Sequence, residues 1–464
     1  MIAPIVAVTG VAGTSRPSAP PETSVRLPRI GTSVALTVAV MVSSAPSLLP
    51  RPAVTQALFT GVLMASALAA AWSARRAFGS RTPARVRLQA WSASVGTLMS
   101  IGLLSANVLW QNRLRVAMDV ETVDWRYAAE VAAGAICVAS VLCGLGRAAT
   151  GIGGVLGRGR SMILIAIAGL LSYVVVAPTV WSAVSDSFSA SNSVVDEAVS
   201  APSSNTRSGA PASLVPWRTL GREGRKFVSG GLDPSTVRAY VGLDSAPTLD
   251  RRVALAVADL DRTGAFQRSV VVVAIPTGSG WVDENAVTGA ENRFGGDVAT
   301  VAVQFSSAPS WATLLFAEDD ARRSANAVVR AVAERAASEP APPDIIVYGQ
   351  SLGAVAGSDA YLSIGRSSPG VCGAVWAGPP AGTVNTEGAT VVANSSDPVV
   401  RWSADLLWSP PSTSTTRPDA PMPMWLPIVG FVQTSVDLVA ALDVDAGHGH
   451  RYGTDQGTAM HRCR

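Results

Sequence analysis

The chain has 464 residues, of which 48% are hydrophobic and only 15% charged, with a mean hydropathy of +0.31. Soluble domains average about 25% charged residues, so part of this chain is expected to lie in a lipid bilayer. Net charge is +3 and Lys226 is the sole lysine, which leaves no basic tract for a nucleic acid and excludes that class of partner.

Cysteine and histidine usage narrows the chemistry further. Cys137 and Cys143 fall in an apolar run, where cysteine acts as a small hydrophobe, while Cys372 and Cys463 lie in the more polar C-terminal half. In an oxidising compartment the second pair is expected to form a disulfide. The histidines are His448, His450 and His461, and no Cys-x-x-Cys or His-x-x-x-His spacing occurs. No metal site and no cofactor are therefore expected.

In chain order, residues 1–30 are rich in Pro, Ser, Thr and Gly, carry Arg16, Arg26 and Arg29, and read as a disordered basic tail. Apolar segments follow at 33–49, 53–72, 90–109, 128–145 and 162–181. Roughly 20 residues cross a bilayer core as a helix, so an all-α bundle of about five spans is predicted over 31–182. The first is weakest, since Ser43, Ser44 and Pro46 interrupt its end, and four spans is the alternative count. Arginines 75, 76, 81, 85 and 87, and then 147, 158 and 160, fall on the same predicted side as the tail. The positive-inside rule makes that side cytoplasmic and puts everything after Trp181 on the outer face of the cell membrane. The run 151–157 is glycine-rich, but it follows a membrane helix and lacks an acidic ribose partner, so a loop is expected there rather than a dinucleotide site. Residues 183–216, rich in Ser, Ala, Asn and Pro, read as a linker.

From Trp217 the pattern changes. Strand candidates at 237–241, 269–275, 300–305, 345–348, 373–376 and 390–393 alternate with helical stretches, notably 249–263 and 317–337. Such alternation argues a mostly parallel sheet with helices on both faces, and 217–464 suits one domain of that kind.

The strand candidate at 345–348 runs into Gly349-Gln350-Ser351-Leu352-Gly353 and then a small-residue helical pattern. A strand-to-helix turn carrying a serine nucleophile requires this arrangement, and the two glycines leave room for the helix to pass close to the strand. A serine hydroxyl needs an imidazole to take its proton and a carboxylate to orient that imidazole. Asp397, before Pro398 in the loop after the last strand, is the candidate acid. His448, flanked by Gly447 and Gly449, is the preferred base, with His450 as the alternative. Two backbone donors should face the developing oxyanion. The first is the Leu352 amide; the second comes from the loop 276–281, where Thr277 is preferred to Gly278. Between acid and base, Trp402, Trp408, Trp425 and an apolar helix over 426–442 form an insert. That helix is expected to pack on the sheet rather than span, and with Trp281 and Trp311 the indoles either line an acyl pocket or belong to the core.

These residues carry a resemblance. Tyr240-Val241-Gly242-Leu243, the run from Thr277 to Asp283, Gly349-Gln350-Ser351-Leu352-Gly353, the run from Asn394 to Val400, and Gly447-His448-Gly449-His450 carry it, together with Pro46-Ser47-Leu48-Leu49-Pro50-Arg51. With them the chain resembles the α/β-hydrolase family of actinobacterial membrane proteins that joins a multi-span N-terminal domain to a C-terminal hydrolase domain. The resemblance implies a serine-hydrolase fold and a membrane location, and supplies no substrate. The expected protein is a membrane-anchored serine hydrolase acting on a small acyl ester or lipid at the envelope, with the bilayer as partner and oligomeric state open. The alternative is a membrane protein whose hydrolase-like domain serves binding or assembly.

Overall fold

The computed structural model of the protein describes residues 27–78, 86–157, 186–231, 233–309, 312–313, 317–364, 370–412 and 414–463, with isolated positions at 160, 167, 174 and 368. The N-terminal part is helical, with α1 (Ile30–Ser43), α2 (Ala53–Phe78), α3 (Val86–Ala117) and α4 (Trp125–Leu156). Three stretches, Ala53–Phe78, Val86–Ala117 and Trp125–Gly151, are long and apolar enough to cross a membrane. Helix α1 has 14 residues, about 21 Å at 1.5 Å per residue, well short of a bilayer core of about 30 Å. It stops where Ser44, Ala45 and Pro46 break the pattern. Among the described residues, then, three helices have the length of a span, against about five predicted. The predicted segment 162–181 lies almost wholly outside the described residues. Helix α4 runs through the glycine-rich stretch to its C-cap at Gly157, so that stretch is helix where a loop was expected.

Helices α2 and α4 meet through small residues. A Cβ added at Gly61 would stand 2.6 Å from Val138 Cβ, and one at Gly134 would stand 2.8 Å from Ala57 Cβ. Apolar helices in lipid gain little from burying oil against oil, so close backbone approach of this kind is what holds them together.

The C-terminal part is a parallel sheet covered by helices. In chain order it runs α5 (Gly221–Ser229), β1 (Val237–Val241), α6 (Leu249–Arg262), β2 (Val270–Ile275), α7 (Glu284–Arg293), β3 (Val298–Val303) and α8 (Glu318–Ala336). It continues with β4 (Asp344–Gln350), α9 (Leu352–Ser363), β5 (Val371–Ala377), β6 (Ala389–Val392), α10 (Pro398–Arg401), α11 (Val429–Asp437) and α12 (Asp455–Thr458). The strand order is β1-β3-β2-β4-β5-β6, every pairing parallel. All six predicted strands are present. Strands β2 and β3 are buried at every position, which is why they read as unbroken valine and alanine runs instead of alternating. From β2 the chain turns toward β3, and from β4 toward β5. The crevice at the carboxyl ends of β2 and β4 is therefore the switch point at which open parallel sheets bind ligands.

Part of the stretch expected as a linker belongs to this domain. Arg207 bridges to Arg238 on β1, the Ser208 hydroxyl donates to Asp259, and Val215 is fully buried. Backbone pairing along the β1 edge gives these small polar residues partners that a hydropathy pattern does not register. Cys372 on β5 and Cys463 form a disulfide with a Cα–Cα distance of 4.8 Å, pinning the end of the chain to the sheet.

The two parts are tied by the turn between α1 and α2. Arg51 is 1% exposed and pairs with the fully buried Asp437 carboxylate at 2.8 Å. The same carboxylate accepts the Leu48 amide at 2.8 Å, and Arg51 Nη2 donates to the Gln433 carbonyl. The Gln433 side-chain amide in turn donates to the carbonyl of Val42. Leu48 and Leu49 pack with Leu114, Met118 and Val444. Helix α11, with nine residues, is thus too short to span, and it packs on this turn where packing on the sheet was expected. Removing one partner of a buried ion pair strands the other charge, at a cost of about 3–5 kcal/mol. Asp437→Ala should accordingly lower the melting temperature of the detergent-solubilised chain well beyond Asp405→Ala, an unchanged melt being the contrary result.

Candidate active site

Strand β4 ends at Gln350 and α9 begins at Leu352, so a single residue makes the turn. Ser351 adopts φ 54° and ψ −121°, a left-handed conformation that few residues with a Cβ accept. Crowding enforces it. A methyl at Gly349 would overlap the backbone of Gly353 and Ala354, and one at Gly353 would overlap the carbonyl of Ile275 at the end of β2. The Ser351 amide is held at 3.0 Å by the carbonyl of Ala377 at the end of β5. The backbone of Ser351 is thereby fixed at the switch point, with Gly353 against the start of the loop that follows β2.

Asp397 is fully buried at the N-cap of α10, where Oδ1 accepts the Val399 amide at 2.8 Å. Its Oδ2 lies 2.7 Å from His450 Nδ1 and accepts the Tyr452 hydroxyl at 2.5 Å. Burial and the neighbouring carboxylate push the Tyr452 hydroxyl well above its ordinary range, so it stays protonated and donates. With Nδ1–H directed at the carboxylate, His450 presents Nε2 as an acceptor. The ring packs beside the end of β5: a Cβ at Gly378, next to the Ala377 carbonyl that holds the serine amide, would stand 2.9 Å from His450 Cε1. The Gln350 side chain donates to the His450 carbonyl at 3.3 Å.

The preferred histidine of the sequence reading lies elsewhere. His448 Nδ1 is 3.1 Å from Asp419, and that carboxylate also accepts the Ser395 hydroxyl and the Ser396 amide. The Ser396 hydroxyl accepts the Gly449 amide at 2.8 Å. His448 and Asp419 therefore brace the loop that carries Asp397 and do not touch its carboxylate. The flanking glycines do build the turn, with φ 104° at Gly447 and 51° at Gly449, yet the imidazole delivered to Asp397 is His450.

A second difference concerns the loop after β2. The Thr277 amide is occupied, donating to the Trp281 carbonyl at 2.9 Å. The Gly278 amide has no acceptor among the described residues. A Cβ at Gly278 would stand 2.6 Å from the Ala308 carbonyl, so glycine is needed there. The Leu352 amide, at the first position of α9, likewise has no acceptor among the described residues.

Sequence reasoning passed over Gln350, Asp419, Tyr452 and Gln456. Tyr348 donates to Gln456 at 2.7 Å, and Gln456 donates to Asp283 at 2.8 Å, whose carboxyl burial pushes up from its usual range. The available signal was the two-residue alternation of His450 and Tyr452, which sends both side chains toward Asp397. Of the indoles, Trp402 and Trp408 are exposed, Trp425 lines a cavity, and Trp311 lies outside the described residues.

The sheet order, together with a strained serine at its switch point, defines an α/β-hydrolase fold. Comparison with protein families agrees: one described as the alpha/beta-hydrolase family matches residues 237–390 and 385–462. Another, described as the alpha/beta-hydrolase family N-terminus, matches residues 44–231. The chain belongs to the alpha/beta-hydrolase family. No curated protein and no solved structure matches it.

The geometry separates the two histidines experimentally. His450→Ala should slow labelling by a fluorophosphonate about 10²- to 10⁴-fold, the usual worth of a general base. His448→Ala should change it less than about tenfold. Reversed effects would reject the pairing described above.

Proposed function

We propose that the protein is a membrane-anchored serine hydrolase that cleaves an acyl ester of lipid-like character, with Ser351 as nucleophile, His450 as base and Asp397 as the acid that orients it. The observations that support the reading are the buried Asp397–His450 contact and a serine held at positive φ between β4 and α9. Crowding fixes the turn in this conformation, which a glycine would adopt without strain, and a serine kept there is what a nucleophile at the tip of a strand-to-helix turn requires.

In this reading His450 Nε2 takes the proton as Ser351 Oγ attacks the ester carbonyl. The amides of Leu352 and Gly278 stabilise the tetrahedral oxyanion. The imidazolium, held by Asp397, returns the proton to the departing alkoxide and leaves an acyl-enzyme. Water, activated by the same imidazole, then releases the acid and restores the serine. Tyr452 shares the Asp397 oxygen with His450 and acts as a positioning residue.

The three apolar helices support anchorage in the cell membrane, and with segment 162–181 taken as a further span the distribution of arginines supports a catalytic domain outside the cytoplasm. The Cys372–Cys463 disulfide agrees with an oxidising compartment.

One experiment tests chemistry and sidedness together. Intact cells are treated with a membrane-impermeant fluorophosphonate, and the full-length chain is recovered. Labelling of the wild-type chain and its absence in Ser351→Ala is the expected result. An unlabelled but folded wild-type chain in lysed cells would reject the enzyme in favour of a binding or assembly role. Labelling that requires lysis would reverse the orientation.

A further inference from the structure

Arg401 ends α10, four residues after Asp397, and is 7% exposed. Burying a guanidinium is costly unless its charge and its N–H groups find partners. The other buried arginines have them. Arg51 and Arg238 pair with Asp437 and Glu291, while Arg207 and Arg225 donate to backbone carbonyls. Arg401 makes one marginal contact, from Nη1 to the Ser395 carbonyl at 3.5 Å, and no carboxylate among the described residues pairs with it. Burial holds its pKa below the ordinary arginine range with no acid opposing the shift.

The guanidinium borders open space. A cavity of about 450 Å³ is lined by Arg401 together with Ser395, Pro410, Pro411, Met422 and Trp425. Ligand sites commonly fall between about 300 and 1,000 Å³, apolar in the main with a few fixed polar groups. On its other side Arg401 borders a crevice that reaches Pro46 and Leu48 in the turn joining α1 to α2, at the end of a helix long enough to span. Met424, Leu426 and Ile428, in the same insert, are exposed. The wall is apolar, the single charge is a rigid fork suited to two oxygens, and the neighbourhood is the mouth of the helical region.

We propose that Arg401 anchors a binding site for the oxyanionic headgroup of an amphiphile, its phosphate or carboxylate held by the guanidinium and its apolar part lying along Met422 and Trp425. As a selector of substrate this rests on the ester-hydrolase reading; as a binding site it stands independently. The site would favour anionic over neutral acyl compounds before any bond is cleaved.

The test uses the full-length chain carrying Ser351→Ala, in nanodiscs of phosphatidylcholine, so that binding is read without turnover. Tryptophan fluorescence is followed on titration with 1-acylglycerol phosphate and with the uncharged 1-acylglycerol of the same chain length. The expected result is at least about tenfold tighter binding of the phosphate compound, with the difference abolished by Arg401→Gln. Equal affinities, or a difference that survives Arg401→Gln, would overturn the site. Inorganic phosphate forms a third arm. If it binds as tightly as the lipid, the site is upheld with a free ion as its ligand; if only the lipid binds, the headgroup is the ligand. Should Arg401→Gln fail to fold, modification by phenylglyoxal mapped by mass spectrometry replaces it. Protection of Arg401 by 1-acylglycerol phosphate and not by 1-acylglycerol supports the site, and no protection rejects it. Failure of ester hydrolysis in the Ser351 chain would remove the enzymatic reading and leave these binding results to decide the site.

Discussion

The structure turns on one steric constraint, the crossing of Gly349 and Gly353. There is no room for a Cβ on either residue, because the first turn of α9 lies against the end of β4 and against the Ile275 carbonyl of β2. Ser351 between them has no relaxed conformation available and is held at positive φ. The parallel register does the rest. It brings the ends of β2, β4 and β5 side by side, so the turn, the loop after β2 and Gly378 meet at one edge of the sheet. The valine and alanine side chains of β2 and β3 are buried at every position beneath it.

A second constraint links this edge to the helical region. The Arg51–Asp437 pair is fully buried, and its hydrogen bonds close on both sides of the interface, to Leu48 on one and Gln433 on the other. An isolated pair in such a setting contributes little net stability, but it is intolerant of misalignment, since any shift exposes an unpaired charge to a medium that solvates it poorly. It therefore fixes register more than it adds strength. Because Val444 packs with Leu48 and Leu49, and a Cβ at Gly449 would stand 3.3 Å from Leu49 Cδ2, the loop bearing His450 rests on the turn between α1 and α2. The geometry around Asp397 is thus mechanically continuous with the helices that have the length of membrane spans.

Much of this was legible in the sequence because it is local. The six strands announced themselves as β-branched runs bounded by turn residues, the turn at Ser351 as glycine on either side of a serine between strand and helix, and Asp397 by the proline that follows it. The length of α1 was signalled too, in the Ser-Ala-Pro break that marks the first apolar segment as the weakest. Segment 204–216 escaped because its partners are the backbone of β1 and the Asp259 carboxylate, and neither leaves a mark in its own composition.

What the sequence by itself determined is the order and character of the pieces: apolar helices first, then a parallel sheet with a strained serine at its centre and an acid and two histidines downstream. What only the tertiary structure decided is which partners two near neighbours meet. His448 and His450 stand two residues apart in the same glycine-rich turn, and the difference between them is that one meets Asp419 and the other meets Asp397 and Tyr452. Thr277 and Gly278 are adjacent, and the Trp281 carbonyl alone distinguishes their amides. Hydropathy and periodicity carry information over a few residues, whereas these choices are made by side chains and carbonyls that only folding brings within hydrogen-bond distance.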